Sequence, residues 1–104
     1  MTWSGGESLP LRASTLHYEE VDILYKWFVY MITSEEGLTY TGITHNIEKR
    51  LAEHNEGRST YTKRGTNWRI AYQEEFETRT EARKREKYFK NNAGKEWLRR
   101  RGIL

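Results

Sequence analysis

The sequence predicts an α/β domain: a small three-stranded sheet, mixed or antiparallel, flanked by helices in the order β-β-α-β-α-α. Three observations carry this. From Phe28 onward, Val29, Met31 and Thr33 alternate with Phe28, Tyr30 and Ile32, the period of a strand with two different faces. Near Asn46 and again at Thr78, helix-opening side chains precede apolar residues spaced by three and four. A length of 104 residues leaves room for one domain with a modest core.

Residues 1–26 are expected to be a flexible or accessory segment ahead of a domain at 27–104. Up to about Thr15 they are rich in Gly and Ser, hold the sole proline, and show no sustained period. Leu16–Tyr25 is more apolar and fits either a short helix or an added strand. The first strand is placed to end near Tyr30, with a turn through Ser34–Gly37 and a second strand through Tyr40, followed by Gly42. Asn46 can cap the next helix, Glu48 suits its positive end and Gly57 can close it. Ile47 and Leu51 make its apolar stripe, while Arg50 and His54 share an adjoining face. Glu56 to Asn67 reads as a polar loop, in which Lys63, Arg64 and hydroxyls can touch phosphates or simply face solvent. Trp68 to Phe76 is the third strand, with Trp68, Ile70 and Tyr72 on one side of it. Thr78-Arg79-Thr80-Glu81 is a capping-box pattern opening a second helix, in which Ala82, Glu86 and Phe89 form the inner stripe. That helix should stop around Asn91–Gly94, and a last one, Lys95 to Arg101, docks Trp97 and Leu98.

Composition narrows the function. Hydrophobic residues make up 36% and charged ones 32%, so much of the surface must be charged, and seven Tyr and four Trp supply buried area. Without cysteine there is neither a disulfide frame nor a thiolate metal site. No segment is long enough to span a bilayer and the start lacks a signal-peptide run, so no membrane role and a cytoplasmic, intracellular place are expected. Net charge is only +3, but residues 1–26 balance at −2 and residues 78–104 at +7. A basic end of this density suits a phosphate backbone, although a basic run is also an ordinary solvated helix face.

The residues Val29-Tyr30, Tyr40-Thr41-Gly42, Arg50, His54 and Glu86, in this order, resemble the GIY-YIG nuclease family. Its two signature tripeptides correspond to Phe28-Val29-Tyr30 and Tyr40-Thr41-Gly42, and the likeness covers roughly residues 27 to 100. It is nearest to the small stand-alone members that resemble the amino-terminal domain of the repair excinuclease, which links it to DNA repair. The tripeptides alone are weak evidence; the ordered set with Arg-x-x-x-His and a helical glutamate is specific. Singly, each residue has a plain alternative. Strand tyrosines are common, Arg50 can pair with Glu53 or Glu48, and Glu86 can pair with Lys90 for about 0.2–0.5 kcal/mol. A carboxylate on an apolar stripe still calls for a cation or a metal.

The resemblance implies a metal-dependent endonuclease acting on nucleic acid, DNA being the expected partner. Tyr30 would activate water, although a free tyrosine has a pKa of about 10 and needs nearby cations to favour its phenolate. Arg50 would stabilise the developing charge, Tyr40 would orient water or phosphate, and His54 would relay a proton or hold Tyr30. Glu86 would hold Mg²⁺, with Mn²⁺ as a substitute. Gly42 lets the chain pass close to the site; Lys49, Lys63, Arg64, Lys87 and Lys90 are the candidate backbone contacts. The sequence departs from the family pattern in two places. Thr41 stands where an isoleucine is usual, and the asparagine found well beyond the glutamate has only Asn91 and Asn92, five and six residues on, to match it. No stretch looks like an appended specificity domain, which leaves that task to a protein partner. A binding module that kept the fold without catalysis is the rival reading.

Overall fold

A computed structural model describes residues 25–104; the helix-or-strand alternative for Leu16–Tyr25 therefore falls, but for its last residue, outside the described residues. The elements are β1 (Trp27–Thr33), β2 (Thr39–Thr44), α1 (Ile47–Asn55), a 3₁₀ turn (Thr62–Arg64), β3 (Arg69–Phe76), α2 (Arg79–Phe89) and α3 (Asn92–Arg100). The order is the expected one. The sheet is wholly antiparallel, with β1 central in the arrangement β2-β1-β3. β1 does not end near Tyr30 but runs to Thr33, and β2 continues through Gly42, which pairs with Tyr30.

Each face of the sheet carries its own core. Val29 and Met31 on one face pack with Ala82, Phe89 and Leu98 of α2 and α3. Tyr30, Ile32 and Trp68 on the other pack with Ile47 and Leu51 of α1. The period-two expectation for β3 fails at one step: Ile70 belongs to the Tyr30 face and Tyr72 to the Met31 face. A bulge causes this. Ile32 pairs with Ile70 while the preceding Met31 pairs with Tyr72, so Ala71 is the extra residue, and a bulge resets which way the side chains point.

Helix ends follow the local chemistry. The Asn46 side chain accepts the Lys49 N–H at 3.0 Å, Gly57 closes α1 at φ +79°, and Thr78 with Glu81 forms a complete capping box. α3 starts earlier than Lys95, because Asn91 caps it by accepting the Gly94 N–H at 2.9 Å. Gly94 is therefore inside the helix rather than in the break. A Cβ there would stand 1.9 Å from the Tyr88 carbonyl oxygen, so only glycine lets the start of α3 lie this close to α2.

Candidate active site

β1 and β2 bring the two tyrosines together on the α1 face. Tyr30 is fully buried, with its ring centroid 6.2 Å from that of Tyr40. Gly42 sits between them: a Cβ would lie 2.9 Å from the Tyr30 hydroxyl and 3.0 Å from the Tyr40 ring. Its bare backbone is what allows the phenol to lie across edge strand β2. α1 adds His54, one helical turn beyond Arg50. Tyr30 Oη is 2.7 Å from His54 Nε2, and His54 Nδ1 is 2.7 Å from Thr62 Oγ1. Thr62 is in turn fixed by Trp68, whose indole N–H donates to the Thr62 carbonyl at 2.8 Å.

The electrostatics are those of a buried pair beside a cation. Burial, and then Tyr40, push the Tyr30 hydroxyl well above its ordinary pKa of 10, while the guanidinium of Arg50 pulls the other way. Burial and the Arg50 charge lower His54 to about 4, so the imidazole is neutral near pH 7. Arg50 itself rests on Glu53 at 2.9 Å, one of the two alternatives its spacing allowed.

Glu86 approaches from the opposite face, since Ala82 and Phe89 on its helix pack on the Val29 and Met31 side. The faces meet at the β2 edge, against which α2 also packs, and the Glu86 charge acts on Tyr30, opposing its ionisation. Glu86 is buried but not alone: Arg83 reaches Oε1 and Lys90 reaches Oε2, both at 3.1 Å. A cleft of about 420 Å³ wraps this edge, with Tyr40 and Tyr61 on one wall and Phe89, Lys90 and Lys95 on the other. Arg64 lies over Tyr61 at 5.2 Å, and Tyr61 stacks on Tyr40. Lys63 is on the same 3₁₀ turn, exposed. Lys49 and Lys87 are exposed on their helices and do not line the cleft. Asn91 is occupied as the α3 cap.

Sequence reasoning missed Tyr61, Thr62 and Lys95. A threonine inside a polar loop carries no pattern that marks it as buried. The exposed Tyr61 and Lys95 are marked only by facing Tyr40, a tertiary fact.

Among the described residues no group of three or more His, Cys, Asp or Glu could cage a metal. The single buried carboxylate nevertheless suits an ion such as Mg²⁺, which keeps several waters and takes one or two carboxylates plus substrate phosphate. Glu86 offers that hard oxygen donor, and its two present partners are side chains about half exposed and free to swing aside.

The fold is a small α/β domain whose sheet and first helix bring Tyr30, Tyr40 and His54 together. A model described as the GIY-YIG catalytic domain matches residues 26–100, and the chain belongs to that family. Nucleases of this family generally work with a divalent metal. Among its relatives, a UPF0213 protein of Staphylococcus saprophyticus is 42% identical over 62 residues, 59% of this chain and 76% of that protein. One from Bacillus licheniformis is 41% identical over 64 residues, 61% of this chain and 66% of that protein. The solution NMR structure of a UPF0213 protein from Bacillus halodurans matches with a TM-score of 0.44 at 28% identity, over 70% of this chain and 81% of that one. No helix among the described residues is long and apolar enough to cross a membrane.

Proposed function

We propose that this chain is a metal-dependent endonuclease that hydrolyses phosphodiester bonds in nucleic acid, with DNA as its substrate and residues 27–104 as the catalytic unit. The observation that carries the reading is the buried Tyr30–His54 hydrogen bond, with Arg50 and Glu86 acting on the same phenol. Because burial keeps Tyr30 protonated, a standing phenolate is not the base. Tyr30 instead takes the proton of the attacking water as its own passes to Nε2 of neutral His54. Arg50 turns its donors to the phosphate oxygens as charge develops there, and Tyr40 orients water or phosphate. Lys90 holds a phosphate in the cleft, and Lys63 and Arg64, exposed on the 3₁₀ turn beside Tyr61, hold neighbouring phosphates outside it. Glu86 would hold Mg²⁺ or Mn²⁺, which supplies positive charge to the phosphate and leaving oxygen when bound.

Incubating the protein with labelled duplex, branched and single-stranded DNA and RNA, with Mg²⁺, Mn²⁺ or EDTA, tests the assignment. Metal-dependent cleavage of at least one DNA is expected. Binding without cleavage under every metal would instead identify a binding module. Glu86→Gln should abolish cleavage and leave binding near wild type. Its cost in stability should stay under about 1 kcal/mol, because the two ion pairs lost involve exposed cations. A variant that is clearly destabilised yet active would make Glu86 a structural residue.

A further inference from the structure

Neutral imidazole has one donor nitrogen and one acceptor, and both of those on His54 are buried against hydroxyls. A hydroxyl can donate or accept, so two directions of bonding are self-consistent. In one, Tyr30 O–H donates to Nε2 and Nδ1–H donates to Thr62. In the other, Thr62 O–H donates to Nδ1 and Nε2–H donates to Tyr30. Only the first leaves a lone pair on Nε2 facing the Tyr30 proton. We propose that Thr62 is a positioning residue that holds His54 in the Nδ1–H tautomer, with its Oγ1 as the acceptor, so that Nε2 can take the Tyr30 proton during phosphodiester hydrolysis.

The inference rests on the nuclease reading above and adds a residue to it. The proton balance closes within these groups. The water O–H bond breaks, its proton forms the new Tyr30 O–H, and the old Tyr30 proton forms Nε2–H. The resulting imidazolium keeps both N–H groups bonded, one to Tyr30 and one to Thr62. As the water oxygen bonds to phosphorus the bond to the leaving oxygen breaks; Tyr30 then passes a proton through water to that oxygen, and the Nε2 proton returns to Tyr30.

Thr62 is built for a fixed position rather than for loop mobility. It is completely buried. Its carbonyl accepts the Trp68 indole N–H and the Gly65 N–H. Trp68 is also tied to the end of α1, where its backbone N–H donates to Asn55 Oδ1 at 2.7 Å and its carbonyl accepts Asn55 Nδ2 at 3.2 Å. Gly65 packs so closely that a Cβ there would stand 2.8 Å from the Ser34 side chain. The loop that presents Thr62 is thereby locked to the helix that presents His54. A wrong tautomer with otherwise intact geometry is known to be costly in the serine-protease triad, where an orienting partner is replaced by an amide.

The test is ring-nitrogen NMR of His54 in the full chain near pH 7, alongside cleavage kinetics of Thr62→Val and Thr62→Ser. Wild type should show a protonated Nδ1 and an unprotonated Nε2. Thr62→Val, nearly isosteric, should lose that preference and drop kcat on the order of 10²-fold with KM little changed, and Thr62→Ser should restore both. A protonated Nε2 in wild type overturns the inference without any variant, even if Thr62→Val does not fold. Unchanged tautomer and kcat in Thr62→Val overturn it as well. The expected tautomers in a wild-type protein that cuts no nucleic acid would support the Thr62–His54 arrangement and remove the nuclease reading instead.

Discussion

The Tyr30 hydroxyl is bonded to His54 and also meets the Arg50 guanidinium, and that decides how it can be tested. Tyr30→Phe keeps the ring over Gly42 but leaves His54 Nε2 buried without its partner. A lost buried hydrogen bond of this kind costs about 1–3 kcal/mol, whereas losing a general base costs about 10²–10⁴ in rate. The expected result is a folded protein with a modestly lower Tm and a rate lower by that factor. Near-full activity would mean that water is activated elsewhere, with His54 next in line. His54 also makes stability depend on pH. Its pKa is about 4 when folded and about 6.5 when unfolded, so between these values the unfolded chain binds more protons. Unfolding free energy then rises with pH across that window, by up to about 3 kcal/mol, is fully present above about 6.5, and is lost as pH falls to about 4. Urea titrations of wild type and His54→Gln at several pH values between these limits check this. An equal slope in both proteins would show that His54 is not the group responsible.

The elements divide into those specified locally and those specified by neighbours. The caps at Asn46 and Thr78, the closing Gly57 and the Ala82–Glu86–Phe89 stripe were legible because each is satisfied within a few residues of itself. Tyr30, Tyr40, Arg50 and His54 were legible as a set because two strands and a following helix bring them to one face. The bulge at Ala71 and the burial of Thr62 were not, since each depends on what lies across the sheet or under the loop; the Asn91 cap of α3 is local, but the glycine three residues on read as a break. Gly94 shows the difference. It read as a helix breaker, yet it stands in the first turn of α3 because the Tyr88 carbonyl leaves no room for a Cβ. α3 is held there by aromatic contacts with cations, Trp97 lying under Arg85 at 4.8 Å and Arg101 at 3.7 Å. Gly94→Ala is therefore expected to destabilise the protein by at least about 1–3 kcal/mol despite alanine's better helix propensity. Equilibrium urea unfolding measures it, and a neutral or stabilising effect would mean that α3 can shift outward without cost.

At the scale of the whole molecule, the basic residues have unequal freedom to meet nucleic acid. Of the ten Lys and Arg in 78–104, Arg85 is spent on Glu74, at 2.9 Å and 3.1 Å, and on the aromatic cluster. Arg101 lies against Trp97, and Arg83 and Lys90 sit on Glu86. Among the described residues, Arg99 and Arg100 pair with the exposed Glu96 at 3.3–3.5 Å, pairs weak enough to give up. Lys84, Lys87 and Lys95 are exposed on the same two helices. Affinity for nucleic acid should therefore fall with salt, but less steeply than ten phosphate contacts would require. With about five contacts from these two helices, counterion release contributes about −4.5 to the log–log slope, or roughly a 500-fold loss between about 50 and 200 mM salt, and Lys63, Arg64 and Lys90 add to it where they reach phosphates. Fluorescence anisotropy with a labelled oligonucleotide across that range measures the slope. Lys87→Met should make it shallower by about one unit if that residue meets a phosphate, while Arg85→Met should act through stability instead. An affinity indifferent to salt would remove the basic helices from the interface, and with them the case for a nucleic-acid substrate.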